Sequence, residues 1–207
     1  MKKPKEEISG AVKEILAIGA VPIMMGGEHS VSPYALSGFS EVSALVIDAH
    51  LDYREDLKGD KNNHACASMR MREILAGKPI LPIGIRSICR SEHDDAKRDG
   101  LNYITADRAR ALGTRELLKL IDDALPGDLY FSLDIDGIDP AYAPGTGTPE
   151  PYGLDAVMVR DIVRHVAHRT LGFDLVEVCP PVDNGNTSAL AARLITDFIA
   201  AREKGLQ

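Results

Sequence analysis

The chain has 207 residues, of which 44% are hydrophobic and 27% charged; this suffices for one α/β domain with a single core. Its net charge of −7, from 24 basic and 31 acidic residues, argues against a nucleic-acid-binding surface, which needs a basic excess. Three cysteines do not make a disulfide framework, so we expect a reducing compartment.

Helical and extended patterns alternate along the chain. In order, they predict a helix near residues 8–16, strands at 21–25 and 44–47, a helix at 68–75, strands at 80–85 and 101–105, a helix at 114–125 capped by Thr114, a strand at 129–133, a helix at 155–168, a strand at 173–178 and a helix at 187–202. Strands that are continuous apolar runs between helices indicate a parallel sheet covered on both faces. The predicted fold class is therefore α/β, a three-layer α/β/α with a mostly parallel central sheet.

Neither a repeat nor a linker divides the pattern, so we expect a single domain over residues 1–207. The longest apolar stretch, residues 15–27, is interrupted by Pro22 and is too short to span a bilayer. The first residues lack the apolar segment of a signal peptide. We therefore expect a cytoplasmic protein with no membrane or nucleic-acid partner.

Candidate metal ligands follow the predicted strands. In parallel sheets, ligands bind beyond the carboxyl ends of the strands. The side chains found there are His29 after the first strand, Asp48, His50 and Asp52 after the second, and Asp134 and Asp136 after the strand at 129–133; Glu177 lies within the strand at 173–178. Three of these four strand ends thus present residues that bind metals.

Several carboxylates at one end of a sheet repel one another unless cations offset their charge. A pair of divalent ions would do so and could activate water, and imidazole with carboxylate oxygens favours manganese or a similar ion. Each motif alone has a plainer interpretation: a turn histidine, a solvated loop, capping aspartates, or a glutamate paired with arginine. Their joint occurrence at strand ends favours a metal centre.

Four segments carry a resemblance to a known family: GGEHS (26–30), DAHLD (48–52), SLDIDGIDPAYAPGTGTPEP (132–151) and EVCPPVD (177–183). They resemble the signatures of the ureohydrolase (arginase/agmatinase) family, and especially its agmatinase branch. The resemblance implies a hydrolase that acts on the C–N bond of a linear guanidino compound. Agmatine, which would give putrescine and urea, is the first expected substrate.

The resemblance also implies a role for each candidate residue. Two Mn²⁺ ions would be bound, one by His29, Asp48, Asp52 and Asp134, the other by Asp48, His50, Asp134 and Asp136. His64 would shuttle a proton to the leaving amine, Glu177 would receive the small cationic guanidino substrate, and Asp136 would accept a proton from the attacking water. It further implies a homo-oligomer, a trimer or hexamer.

Family members carry an additional N-terminal segment, whereas this chain reaches GGEHS by residue 26, so we expect that segment to be lacking. Two alternatives stay open: a related amidine substrate (aminopropylagmatine, guanidinobutyrate, arginine or formiminoglutamate), or an inactive truncated metal-binding member. Charges in the loop at 53–63 point both ways, since Glu55 and Asp56 would attract an amine, and Arg54, Lys58 and Lys61 a carboxylate. A single-zinc deacetylase fits six metal ligands poorly.

The remaining reactive residues have plainer interpretations. Cys66 lies close to His64, but nothing completes a nucleophilic triad, so we expect a small buried residue. His93, His165 and His168 lack metal-type neighbours, and the last two are expected on a partly exposed helix face.

Overall fold

A computed structural model describes residues 4–205. The strands are β1 (Ile23–Met25), β2 (Ser43–Ile47), β3 (Ile80–Ile85), β4 (Ile104–Thr105), β5 (Leu129–Asp134) and β6 (Thr170–Val176). The α-helices are α1 (Pro4–Ala17), α2 (Ser32–Leu36), α3 (Ala67–Leu75), α4 (Arg90–Asp99), α5 (Ala106–Ala124), α6 (Ala156–Val166) and α7 (Asn186–Gly205). Within these residues, no helix combines the length and hydropathy that crossing a bilayer requires.

All six strands form one sheet in the order β1-β6-β5-β2-β3-β4, and every neighbouring pair is parallel. The carboxyl ends of the strands therefore meet at one edge of the sheet. The order places β1 beside β6 and β5 beside β2, so segments from distant parts of the sequence become neighbours there. The predicted parallel sheet is confirmed.

Alternate residues of β2 face the two helical layers. Leu45 and Ile47 join the apolar core beneath α5, α6 and α7, whereas Ala44 and Val46 join the core beneath α1, α2 and α3. All four are fully buried. Complete burial of a valine, leucine or isoleucine side chain contributes roughly 1.5–3 kcal/mol. The continuous apolar run thus reflects burial on both faces, and the three-layer α/β/α prediction is confirmed.

Helix α5 begins earlier than predicted. The Oγ1 of Thr105 accepts a hydrogen bond from the backbone N–H of Arg108 at 3.2 Å and caps a first segment that begins at Ala106 and was not predicted. The predicted helix from Thr114 corresponds to the part of α5 that follows Gly113. Gly113 has φ +75° and ψ 164°, outside the helical region, and splits the element into two segments. That break disturbs the apolar periodicity and hid the first segment in the sequence.

Strands β4 and β6 also differ from the predictions. Strand β4 covers only 104–105, because the N–H of Leu101 still donates to Ala96 O at 2.8 Å in the exit from α4. Strand β6 ends at Val176, so Glu177 follows the strand and does not lie within it. Glu177 adopts φ +64°, a left-handed conformation that ends the extended run.

Candidate metal centre

The predicted ligands lie at the carboxyl edge of the sheet. Asp48 follows β2, Asp134 ends β5 and His29 starts a 3-10 helix after β1. Gly26 and Gly27 have φ of +54° and +92°, and these conformations, which glycine adopts readily, turn the chain back over the strand ends. Because β1, β6, β5 and β2 are neighbours, segments that are far apart in sequence converge.

One group of ligands surrounds the His29 ring. Its Nδ1 lies 2.9 Å from Asp48 Oδ2, 3.3 Å from Asp134 Oδ2 and 3.4 Å from Asp52 Oδ2. All four residues are buried. The ligand atoms of His29, Asp48 and Asp134 are close enough together to hold one metal ion.

A second group shares Asp48 with the first. The Nδ1 of His50 lies 3.0 Å from Asp136 Oδ2 and 3.6 Å from Asp48 Oδ1, and these three residues could hold a second ion. Backbone amides orient the carboxylates: Ala49 N donates to Asp136 Oδ1 at 3.0 Å, and Asp136 N donates to Asp134 Oδ1 at 2.9 Å. The two groups are thus joined through one buried aspartate.

Burial and mutual repulsion perturb the carboxylates. Burial, together with the charges of Asp136 and Asp48, raises the pKa of Asp134 well above its usual range. Burial and Asp48 raise the pKa of Asp52 to about 7. Burial alone would lower the pKa of His50, but its contacts with Asp136 and Asp48 raise it to about 11. The cluster therefore favours bound positive charge, either protons or metal ions.

Two buried polar atoms of the first group have no hydrogen-bond partner. They are His29 Nδ1 and Asp48 Oδ2, which lie 2.9 Å apart. A buried polar atom without a partner is costly, and a metal ion would satisfy both atoms. The donor set of imidazole and carboxylate oxygen also suits Mn²⁺, so these residues fit the implied ions.

Ser132 and Asp174 support His29 from behind. The Nε2 of His29 lies 3.1 Å from Ser132 Oγ, which in turn donates to Asp174 Oδ1 at 2.7 Å. If Ser132 Oγ accepts a hydrogen bond from the Nε2–H of His29, the Nδ1 of His29 keeps its lone pair for a metal ion. Neither residue was among the predicted site residues; the signal was a polar side chain at 132 and at 174 within otherwise apolar strands.

A cavity of about 410 Å³ opens above the two groups. Its lining includes His50, Asp52, His64, Asp134, Asp136 and Glu177. His64 starts a 3-10 helix after Asn63, whose side chain accepts from Ala65 N at 3.1 Å. The His64 Nδ1 lies 3.0 Å from Glu28 Oε2. Glu28 was not among the predicted site residues.

Glu177 reaches the same cavity from the end of β6. Its Oε1 accepts a hydrogen bond from the backbone N–H of His29 at 2.7 Å, and its own N–H donates to Gly27 O at 3.0 Å. Burial raises the pKa of its carboxyl group. These bonds tie Glu177 to the turn that carries His29, so the metal groups and this carboxylate form one unit.

The other residues named from the sequence lie apart from the ligand groups. Cys66 is a buried free thiol, as expected. His93 contacts Tyr103 Oη at 3.0 Å, and His165 Nε2 lies 2.8 Å from Asp122 Oδ2. His168 Nδ1 lies 2.9 Å from the carbonyl oxygen of His165.

Comparisons with known proteins match most of the chain. It is 35% identical over 188 residues to the agmatinase of Pyrococcus horikoshii, covering 89% of this chain and 64% of that relative. It is 34% identical over 208 residues to the mitochondrial guanidino acid hydrolase of Homo sapiens, covering 95% of this chain and 59% of that relative. The chain thus spans less than two thirds of the length of both relatives.

The fold also matches a solved structure, the agmatine ureohydrolase of Thermoplasma volcanium. The TM-score is 0.93 at 40% identity, over 97% of this chain and 69% of that one. The model of the arginase family matches residues 2–201. The resemblance first seen in four short motifs therefore extends over nearly the whole chain, which belongs to the arginase family.

Proposed function

We propose that this chain binds two Mn²⁺ ions and hydrolyses a linear guanidino compound, with agmatine as the first candidate and putrescine and urea as its products. The observation that carries the proposal is the shared Asp48: it belongs to two metal-type groups beneath a cavity lined also by His64 and Glu177. The names of the relatives support the reaction class, since both act on guanidino compounds or agmatine.

The proposed ligand sets extend the two groups by Asp52 for the first ion and by Asp134 for the second, as the family resemblance implies. One ion would be held by His29, Asp48, Asp52 and Asp134, and the other by Asp48, His50, Asp134 and Asp136. Bound there, the ions would offset the carboxylate charge and supply the Lewis acidity that activates a water molecule.

Glu177 is the proposed receptor for the guanidinium group. A guanidinium ion is planar and cationic, and it pairs well with a carboxylate. Because Oε1 of Glu177 accepts the His29 N–H at 2.7 Å, the carboxylate is fixed relative to the metal groups. The guanidinium carbon would thereby be held close to the ions.

His64 and Asp136 are the proposed proton carriers. Water adds to the guanidinium carbon, and the bond from that carbon to the alkyl-bearing nitrogen breaks. Asp136 would take a proton from the attacking water, and His64 would give one to the departing amine. The contact with Glu28 occupies Nδ1 of His64, so Nε2 would be the nitrogen that faces the amine.

A guanidino acid is the second candidate substrate. Of the described residues that line the cavity, Arg54 is the only arginine or lysine, and it would suit a carboxylate at the far end of 4-guanidinobutyrate. Arg54 also has a carboxylate neighbour, since its Nε lies 3.6 Å from Glu92 Oε2. Lys61 lies outside the lining and pairs with Glu55. Glu150 also lines the cavity and would suit the amine of agmatine.

Assembly and location remain predictions. The homo-oligomer expected from the sequence, a trimer or hexamer, is tested by size-exclusion chromatography with light scattering. A monomer that turns over substrate would contradict it. The expected cytoplasmic location is tested by fractionating the cells that produce the protein.

The deciding experiment loads the chain with Mn²⁺, counts the metal and assays agmatine, 4-guanidinobutyrate, aminopropylagmatine and arginine for urea, and formiminoglutamate for formamide. Release of product with two ions per chain supports the proposal. Glu177→Gln should keep its metal and lose activity, whereas Glu41→Gln, at the opposite end of β2, should match the parent. Two ions without any product would favour the inactive alternative.

A further inference from the structure

Arg86 directs its whole guanidinium group at backbone carbonyls. It follows β3, and its Nη2 donates to Asp136 O at 2.6 Å and to Glu150 O at 2.7 Å. Its Nη1 donates to Gly84 O at 3.1 Å and Gly137 O at 3.3 Å. Its Nε contacts Glu150 O at 3.2 Å and Pro151 O at 3.0 Å. All five N–H donors of the side chain have acceptors.

These bonds join loops that carry the second ligand group. Asp136 belongs to that group, and Glu150 places its Oε1 3.7 Å from His50 Nε2. The backbone N–H of Arg86 donates to Ala49 O at 2.8 Å, between the other two members of the group, Asp48 and His50. One residue therefore contacts the segments of His50, Asp136 and Glu150.

The side chain of Arg86 reaches the first group only indirectly, because Asp136, whose carbonyl it holds, donates its N–H to Asp134 Oδ1 at 2.9 Å. His29 is supported by Ser132 and by the bond from its N–H to Glu177. The two groups share Asp48, but the side chain of Arg86 bonds directly to the Asp136 turn of the second group. Loss of the Arg86 side chain should therefore lower the metal affinity of the two groups unequally.

We propose that Arg86 is the positioning residue of the second group: it fixes the turn of Asp136 against the loop of Glu150, so that the affinity of the second metal ion depends on it. The proposal rests on the proposed function only in taking this group to hold an ion. Loss of a residue that supports metal ligands typically costs about 10–100-fold in metal affinity.

Lysine at this position would keep the positive charge without the planar fork, because its ammonium group has three donors at one point. It cannot span carbonyls on three segments. Arg86→Lys therefore separates positioning from charge, and Arg86→Met removes both while keeping the apolar stem.

Arg110 provides a matched control. It lies in α5 and donates to Gly153 O at 3.0 Å and to Tyr152 O, in the same loop but two residues beyond the contacts of Arg86. Its other hydrogen bond, to Asp107, stays within α5. Arg110→Met should therefore bind metal as the parent chain does.

The test is a Mn²⁺ titration of the metal-depleted chain, followed by calorimetry, with hydrogen exchange measured over residues 134–153. In Arg86→Lys and Arg86→Met we expect one ion to bind as in the parent, the second to bind at least 10-fold more weakly, and exchange over 134–153 to rise. Equal weakening of both ions, unchanged binding, loss of the fold in both variants, or a parent chain with a single ion would each overturn the inference.

Turnover separates this inference from the proposed function. If the parent binds two ions without releasing product from any guanidino compound, the proposed function fails while the inference on Arg86 can still hold. If the chain is active, excess Mn²⁺ should restore kcat in Arg86→Lys with little change in KM. A general loss of stability would not respond in this way.

Discussion

The carboxylate of Glu28 lies 3.0 Å from Nδ1 of His64, which joins the glycine turn after β1 to the 3-10 helix that starts at His64. Both side chains are about half exposed, so the pair has little part in the stability of the core. A carboxylate behind a histidine fixes the ring and stabilises its cation.

Glu28→Gln should therefore lower kcat by about 10-fold, less than the roughly 10²–10⁴-fold that a general acid–base group itself contributes, while the metal content stays constant. The physical reason is that the ring of His64 loses the partner that orients it. The measurement is kcat with Glu41→Gln as the control. An unchanged kcat would remove Glu28 from the mechanism.

Asp48 and Asp136 should differ in how many ions they control. Asp48 belongs to both ligand groups, and Asp136 belongs to one. Asp48→Asn should therefore abolish binding of both ions, whereas Asp136→Asn should leave one; Asp134→Ala should be inactive with less metal. Metal is counted by mass spectrometry after gel filtration. Two ions retained in Asp48→Asn would refute the shared-ligand arrangement.

The metal-free chain should lose stability as pH rises. The pKa of Asp52 is raised from 3.8 to about 7, and that of His50 from 6.5 to about 11. A raised pKa contributes stability that is complete below the unfolded value and is lost as pH climbs through the folded value. The pKa of Asp48 is lowered to about 2, so its contribution to stability is lost as pH falls, and only in the acid range.

Melting with EDTA should therefore give a Tm at pH 9 several degrees below that at pH 6, since about 1 kcal/mol shifts Tm by ~2–4 °C in a chain of this size. Mn²⁺ should remove this difference, because the ions replace the protons. A Tm in EDTA that rises between pH 6 and pH 9 would contradict the sign.

Gly137 packs against the second strand so closely that no side chain fits. A Cβ there would lie 2.6 Å from Ile47 Cγ2 and 2.9 Å from Asp48 N. Gly137→Ala should cost about 1–3 kcal/mol and weaken metal binding by displacing Asp48. The control is Gly147→Ala, because a Cβ at Gly147 has nothing within 4 Å. Equal urea-unfolding midpoints for the two variants would contradict this prediction.

Ser132→Ala should weaken the first ion. The variant removes the hydroxyl 3.1 Å from His29 Nε2, and with it the partner that selects the tautomer of the ring. We expect about 10–100-fold lower affinity for one ion, with the second ion little changed. The Mn²⁺ titration described for the Arg86 variants measures both affinities. Ser132→Ala should weaken mainly the first ion, whereas the Arg86 variants should weaken mainly the second.

Much of the fold and of the site could be predicted because each depends on local patterns. The continuous apolar run in β2 reflects burial on both faces, and Asp48 follows directly where that run stops. Parallel strands bring such ends together whatever their order. The predicted residues His29, His50, Asp136, His64 and Glu177 accordingly lie around one cavity or directly beneath it.

The supporting residues could not be predicted, because their roles depend on which strands become neighbours. Arg86 acts on carbonyls 50 and 64 residues away, and Ser132 meets His29 only because β6 alone separates β5 from β1. Carbonyl acceptors leave no trace in side-chain composition. The segment of α5 before Gly113 was missed for a different reason, since the break at that glycine interrupts the apolar periodicity.

The sheet order has a consequence for when the protein can acquire metal. His29 meets Ser132 across 103 residues and Glu177 across 148. Such non-local pairings slow folding, because distant segments must meet before their contacts contribute. A growing chain cannot complete either ligand group until β5 has been synthesised. A metal ion at the proposed centre would therefore bind late in folding, and its uptake rate should report the docking of β5 and β6.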